Sequence, residues 1–154
     1  MIVNGWRIYF HPLFAERFRG LRAEAEHLKN SLPTDQYRAH PRVRLLASIV
    51  RLVREIVPDN PNASDFQLWD DLAKFRRAKD RGLPARCRLF WVFSSLAKTI
   101  IFLYLNDETP LRQAGSKSDP YEIVKKIVRQ GKIGPDFAAN RAMIDDESRD
   151  QNPP

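Results

Sequence analysis

The sequence predicts an α+β domain in which an N-terminal strand and a helical hairpin pack on a twisted antiparallel sheet, with a further helix toward the C-terminus. Three observations carry this. Apolar residues recur every three or four positions over two long stretches in the first half. Two runs in the second half, "RLFWVF" and "TIIFLYL", are dense in β-branched and aromatic residues. A strongly capped helix follows them.

Residues 4–10 partly alternate, with Trp6, Ile8 and Phe10 on one side, and read as a short strand ended by His11-Pro12. Leu13, Phe14, Phe18, Leu21, Ala25, Leu28 and Leu32 then form one face of an amphipathic helix that stops before Pro33. A second helix runs from about residue 35 or 40 to residue 57, with Pro41 in its first turn. Its stripe of Val43, Leu46, Val50, Val53 and Val57 is widened by Leu45, Ile49, Leu52 and Ile56, enough to be buried against both the first helix and a sheet. The short joint makes the pair an antiparallel hairpin. Residues 58–64 form a loop. Residues 65–73 fit either a short helix capped by Asp65 or an extended segment. Residues 74–79 and 86–93 read as strands, and 99–105 as another; the last two are apolar on both faces and therefore central. In "DPYE", Asp119 fits the helix N-cap, Pro120 the first position and Glu122 the third; Gly131 supplies the stop. The domain is expected over residues 1–137, and the polar, Pro-terminated segment 138–154 as a flexible tail.

The chain carries 26 Lys and Arg against 19 Asp and Glu, a formal charge of +7 that draws it toward polyanions. A single cysteine, Cys87, excludes an internal disulfide and a cysteine-rich zinc module. There is no apolar run of membrane-spanning length, and the first residues lack the pattern of a secretory signal, so a cytoplasmic protein is expected. No paired-glycine fingerprint, Walker motif or zinc spacing appears, and no cofactor or metal is expected.

The densest basic stretch holds Lys74, Arg76, Arg77, Lys79, Arg81, Arg86 and Arg88, opposed only by Asp80. Arg86 and Arg88, two apart on a predicted strand, project from one face and suit a phosphate, with nearby aromatics available to stack on a base. RNA can be cut by its own 2′-hydroxyl, provided the protein aligns the groups, stabilises charge on the phosphoryl oxygens and moves protons. Arginine fits the charge task; a second group must handle protons. Asp107 and Glu108, at the end of a strong strand, serve proton transfer or orient Arg86, Arg88 or Arg112. Lys79 donates a proton or neutralises phosphate. His11 is the histidine best placed for catalysis, whereas His27 and His40 read as surface and local structure. Tyr121 packs in a first helical turn, from which its hydroxyl can reach a site, and Lys117 belongs to no recognised phosphate loop.

Three blocks carry a family resemblance: "NGW…Y.HP.F" (Asn4 to Phe14), "RCRLFWVFS" (Arg86 to Ser94) and "NDETPLRQAGSKSDPYEIVKKIVRQG" (Asn106 to Gly131). Together they resemble the YhaV toxins of the RelE-like superfamily, from about residue 4 to about 137. The resemblance implies a RelE-like fold and an mRNA interferase acting during translation on the ribosome. It also implies a PrlF-like antitoxin with a swapped-hairpin DNA-binding domain, which neutralises the toxin and with it represses the operon through operator DNA. It carries Lys79, Arg86, Arg88, Asn106, Asp107, Glu108, Arg112, Lys117 and Tyr121 onto family positions. Two departures stand out: Cys87 replaces a frequent tyrosine, and the tail "ESRDQNPP" lacks a histidine that relatives can carry. Competing readings are a related toxin that poisons a protein such as DNA gyrase without cutting RNA, and a non-catalytic basic ribosome-binding protein.

Overall fold

The computed structural model describes residues 1–107 and 119–151, with residues 146–151 described by backbone alone. Five strands, β1 (Ile2–Val3), β2 (Trp6–Phe10), β3 (Arg76–Ala78), β4 (Arg88–Ser94) and β5 (Thr99–Asn106), form one sheet. Their spatial order is β1-β2-β5-β4-β3. The α+β class stands, but the sheet is mixed: β2 and β5 run parallel while the other pairs are antiparallel. The reason is topological. Tight connections join β1 to β2 and β4 to β5, whereas β2 reaches β5 only after a long crossover through the helices, and a crossover brings a strand back parallel.

Asn4 and Gly5, with φ of 53° and 85°, make the turn that folds β1 onto β2. The Asn-Gly pair is a strong hairpin signal because both central residues need positive φ. The first predicted strand therefore begins later, at Trp6, and has a partner of its own.

The hairpin consists of α1 (Pro12–Ser31), the short α2 (Thr34–Ala39) and α3 (Pro41–Arg51). One π turn, Leu52–Ile56, carries α3 into α4 (Val57–Asp59), where Pro58 removes a backbone donor and the helix ends. Residues 64–66 and 70–72 form single 3₁₀ turns, so the ambiguous segment is helical in two short pieces.

Helices cover both faces of the sheet. On one, Leu89, Trp91, Ile100, Phe102 and Leu105 pack with Phe14, Leu21, Leu45, Ile49 and Leu52. On the other, Phe90, Val92, Ile101, Leu103 and Tyr104 pack with Val124 of α5 (Pro120–Arg129), Ile133 and Ile144 of α6 (Phe137–Gln151). This explains why every residue of β5 is buried. The β-bulge opposite Phe90 and Trp91 adds a residue to β5, which puts Leu103 and Tyr104 into the same core layer.

The segment expected as a tail begins as a helix. Residues 137–151 are helical, and the start of α6 is tied down. Asn140, fully buried, donates to the Gly134 and Asp136 carbonyls and accepts from the Gly134 N–H. Ile144, one turn on, is buried in the second core. A polar composition concealed this because a fully bonded asparagine supplies the anchor. Among the described residues, no helix is long and apolar enough to cross a membrane.

Candidate active site

The register of β3 on β4 sets the site. Arg77 pairs with Phe90, and Arg88 lies two residues before Phe90 on the same strand, so all three side chains share one face. That face is covered by α5, whose start is fixed as the sequence predicts: the Asp119 side chain accepts from the Tyr121 N–H at 2.8 Å and Pro120 occupies the first turn. The Tyr121 ring meets Phe90 edge-on at 6.1 Å. Its hydroxyl accepts from Arg77 Nε at 2.9 Å and from Arg88 Nε at 3.3 Å. Arg77 is 6% exposed and also donates to the Asp65 carbonyl at 2.7 Å, while half-buried Arg88 donates to the Cys87 carbonyl at 2.9 Å. Burial pushes the Tyr121 phenol up, but hydrogen bonds from Arg77 and Arg88, together with their charges, outweigh it. The phenol is held below its ordinary value.

Arg86 is not on the strand, which corrects the expected Arg86–Arg88 pair. β4 begins at Arg88, after Cys87 N–H closes a turn on the Pro84 carbonyl at 3.0 Å. Arg86 is exposed, with its backbone in the left-handed region at φ 67°. The same loop holds Asp80, Arg81 and Gly82 at φ of 61°, 53° and 85°. Ser48 of α3 pins it by donating to the Gly82 carbonyl at 3.0 Å; a Cβ at Gly82 would lie 2.6 Å from Ser48 Oγ. The true partner of Arg88 is Arg77, on the neighbouring strand.

The other basic residues divide by position. Arg76 pairs with Trp91 and so faces away from Arg77; it bonds Asn62 and the Ala73 and Phe75 carbonyls and covers the Phe93 ring. It clamps a loop. Lys74 and Arg81 are exposed, 4.0 Å from Asp136 and 2.9 Å from Asp65 respectively. Lys79 is exposed, one residue beyond β3.

Asp107 lies at the end of β5, 7% exposed, where it accepts from Arg17 and, at 3.2 Å, from Arg42. Arg17 also bonds the Tyr104 hydroxyl at 3.2 Å, and Arg42 bonds Glu24 at 2.8 Å. Among the described residues, Asp107 thus orients Arg17 and Arg42 rather than Arg86 or Arg88. Sequence reasoning missed Arg17, Arg42 and Tyr104, because the two arginines lie 90 and 65 residues from Asp107 and nothing local announces the pairing. Asn106 pairs in register with Arg88, and its buried Nδ2 has no hydrogen-bond partner among the described residues. Glu108, Arg112 and Lys117 lie outside the described residues.

His11 is 3% exposed and caps α1, its Nδ1 accepting from Leu13 N–H at 3.2 Å while its buried Nε2 has no partner among the described residues. Desolvation by burial holds its pKa below the ordinary histidine value, which favours the neutral ring. Among the described residues, no three His, Cys, Asp or Glu side chains are grouped to hold a metal ion.

The comparisons agree with one another. A family model described as a toxin with endonuclease activity, of toxin-antitoxin system, matches residues 8–142. The ribonuclease toxin YhaV of Escherichia coli K12 is 33% identical over 132 residues, covering 84% of this chain and 85% of that protein. The toxins YhaV of E. coli O157:H7 and O6:H1 match to the same extent. No solved structure matches this chain. With nearly the whole described domain matched, from β2 through the first turns of α6, this chain belongs to the YhaV family of toxins of toxin–antitoxin systems, a family with endonuclease activity.

Proposed function

We propose that this toxin cuts messenger RNA by attack of a 2′-hydroxyl on the adjacent phosphate, with Arg77, Tyr121 and Arg88 as the reacting centre. The observation that carries the reading is the convergence of two guanidinium groups on one oxygen. Such a pair suits a phosphoryl oxygen as well as it suits a phenol, and stabilises the charge that grows there as the bond forms. Tyr121, kept below its ordinary pKa, takes the 2′-proton as O2′ bonds to phosphorus. The P–O5′ bond breaks, and Lys79, exposed just after β3, supplies the proton to O5′. The products are a 2′,3′-cyclic phosphate and a 5′-hydroxyl.

Lys74, Arg81, Arg86 and Lys117 neutralise flanking phosphates in this scheme. Arg76 and His11 hold structure. Asp107 acts as a positioning residue through Arg17 and Arg42, and Glu108 and Arg112, which follow it in the chain, assist proton transfer and phosphate binding. The resemblance to relatives extends the proposal to transcripts being translated on the ribosome. It also extends it to a PrlF-like antitoxin that silences the toxin and, joined to it, represses their operon from operator DNA in the cytoplasm.

The test maps RNA 5′ ends after brief induction of this chain and of Arg88→Ala. New cuts inside coding regions, bearing 5′-hydroxyls and absent with the variant, are the expected result. Growth arrest with intact RNA would discard the cleavage reading in favour of a protein target.

A further inference from the structure

α1 and α3 leave an apolar groove between them on the side away from Tyr121. Its volume is about 420 Å³. Buried Phe14 and Val53 form the floor, and partly exposed Phe18, Leu46 and Val50 form the walls. Phe14 and Phe18 lie one turn apart on α1, and Leu46 and Val50 one turn apart on α3. Val53 and Arg54 belong to the π turn that follows, and Met1 and Phe10 also line the groove. Arg22 and Arg54, both exposed, stand at its rim. Arg22 lies 5.8 Å over the Phe18 ring.

The rim charge is uncompensated. Glu24 is engaged with Arg42 and Glu55 with Arg51, while Glu26, one turn on from Arg22, forms no ion pair among the described residues. Among the described residues, neither Arg22 nor Arg54 forms an ion pair. An apolar trough flanked by bare arginines selects an amphipathic occupant whose apolar side chains fill the trough and whose carboxylates reach the rim. A second copy of this chain is a poor match, because its corresponding surface would bring arginine against arginine.

We propose that this groove is the docking site for an acidic, amphipathic segment of the antitoxin. The proposal rests on the family's toxin–antitoxin pairing and not on the cleavage chemistry. The groove lies on the face of the sheet opposite Tyr121, so the segment would hold the toxin without filling its reacting centre. Neutralisation then requires another part of the antitoxin to reach across the molecule.

The test uses the full chain and its cognate antitoxin, with two variants: Arg22→Glu combined with Arg54→Glu, and Val50→Glu alone. Circular dichroism and thermal melting establish that each is folded. The charge variant should associate about tenfold more slowly and lose most of the salt dependence of association, as expected when rim charges are reversed. Val50→Glu should shorten the lifetime of the complex by at least as much. Binding of a single-stranded RNA by the free toxin should be unchanged in both. Unaltered association and lifetime in folded variants would overturn the proposal. So would weakened RNA binding, which would make the groove a nucleic-acid surface, or a wild-type homodimer that these variants dissociate. None of these readouts depends on cleavage, so failure of the nuclease reading is separable from failure of this one.

Discussion

Arg77 and Arg88, on neighbouring antiparallel strands, aim their Nε donors at the same oxygen, the hydroxyl of Tyr121. Neither strand alone produces this. It needs the Arg77–Phe90 register, the shared face two residues from Phe90, and a helix cap that sets Tyr121 in the first turn of α5. A half-buried site with two fixed cations and one ionisable oxygen is able to bind an anion and move a proton.

Tyr121→Phe should therefore lower the cleavage rate constant by about a hundredfold or more, the usual scale for losing a general acid or base. The pH profile is the sharper readout. The arginines outweigh burial and lower the pKa, so the active phenolate appears at lower pH than for an ordinary tyrosine. Cleavage should rise with pH through that lowered value and then level, and the phenylalanine variant should lose the rise. For stability the sign is the same: the phenolate's contribution is fully present above the ordinary value and is lost as pH falls through the lowered one. At neutral pH the variant should still lose roughly 1–2 kcal/mol, because buried Arg77 and half-buried Arg88 each lose the acceptor for Nε. A variant that keeps the rising limb would remove Tyr121 from proton transfer.

Arg77→Ala and Arg88→Ala should separate stability from activity. Arg77 is buried and holds the Asp65 carbonyl as well as Tyr121. Its loss strands both acceptors and should cost roughly 1.5–3 kcal/mol in urea unfolding, the range for hydrogen bonds to a charged group. Arg88 is less enclosed and should cost about 1 kcal/mol or less. Both should lose cleavage at least a hundredfold in single-turnover assays, because both donate to the reacting oxygen. Lysine at either position should not restore it, since a point charge does not reproduce the fork. Full activity in Arg77→Ala would shift the site toward the exposed end of the sheet.

Much of this fold is legible in the sequence because its signals are local. The stripe of α1, the Asp119–Pro120 cap and the apolar run of β5 each declare an element within a dozen residues. The site is only half legible. The basic stretch and Tyr121 are visible, but which arginine faces which depends on where β4 starts, and Cys87 turning into the opposite core decides that. Two-residue spacing predicts a shared face only inside a strand, and Arg86 lies just outside one. The Arg17–Asp107–Arg42 cluster is long-range and has no sequence signature. The helical tail was hidden because Asn140 anchors it through polar bonds to Gly134 and Asp136.

His11 separates a structural from a catalytic histidine. Its ring caps α1, and burial lowers its pKa and so favours the neutral form. His11→Asn preserves a capping acceptor and should retain cleavage, whereas His11→Ala should lose about 1 kcal/mol of stability, the usual cost of a cap. Acid adds a second expectation. The unfolded histidine takes a proton below its ordinary value near 6.5 while the folded one resists. Stability should therefore drop as pH falls below that value, continuing to the lowered folded value. His11→Asn should flatten that part of the stability–pH curve. Loss of cleavage in the folded asparagine variant would return His11 to the catalytic set.

Arg86→Gly should move stability and function in opposite directions. Arg86 holds φ at 67°, a conformation that costs a side-chain-bearing residue about 1 kcal/mol and costs glycine almost nothing. It is exposed, and no hydrogen bond or ion pair holds its side chain among the described residues. Removing the side chain should thus leave the fold as stable or raise its stability by roughly 0.5–1 kcal/mol. If the strained backbone is kept to present a cation to a flanking phosphate, the same change should raise KM several-fold with little effect on the rate constant for cleavage. It should also flatten the salt dependence of RNA binding by about one charge. Arg86→Lys should keep the charge and most of the binding, but not the stability gain. A glycine variant that is less stable, or one whose KM and salt slope are unchanged, would show that the left-handed turn serves the fold and that Arg86 does not meet the RNA.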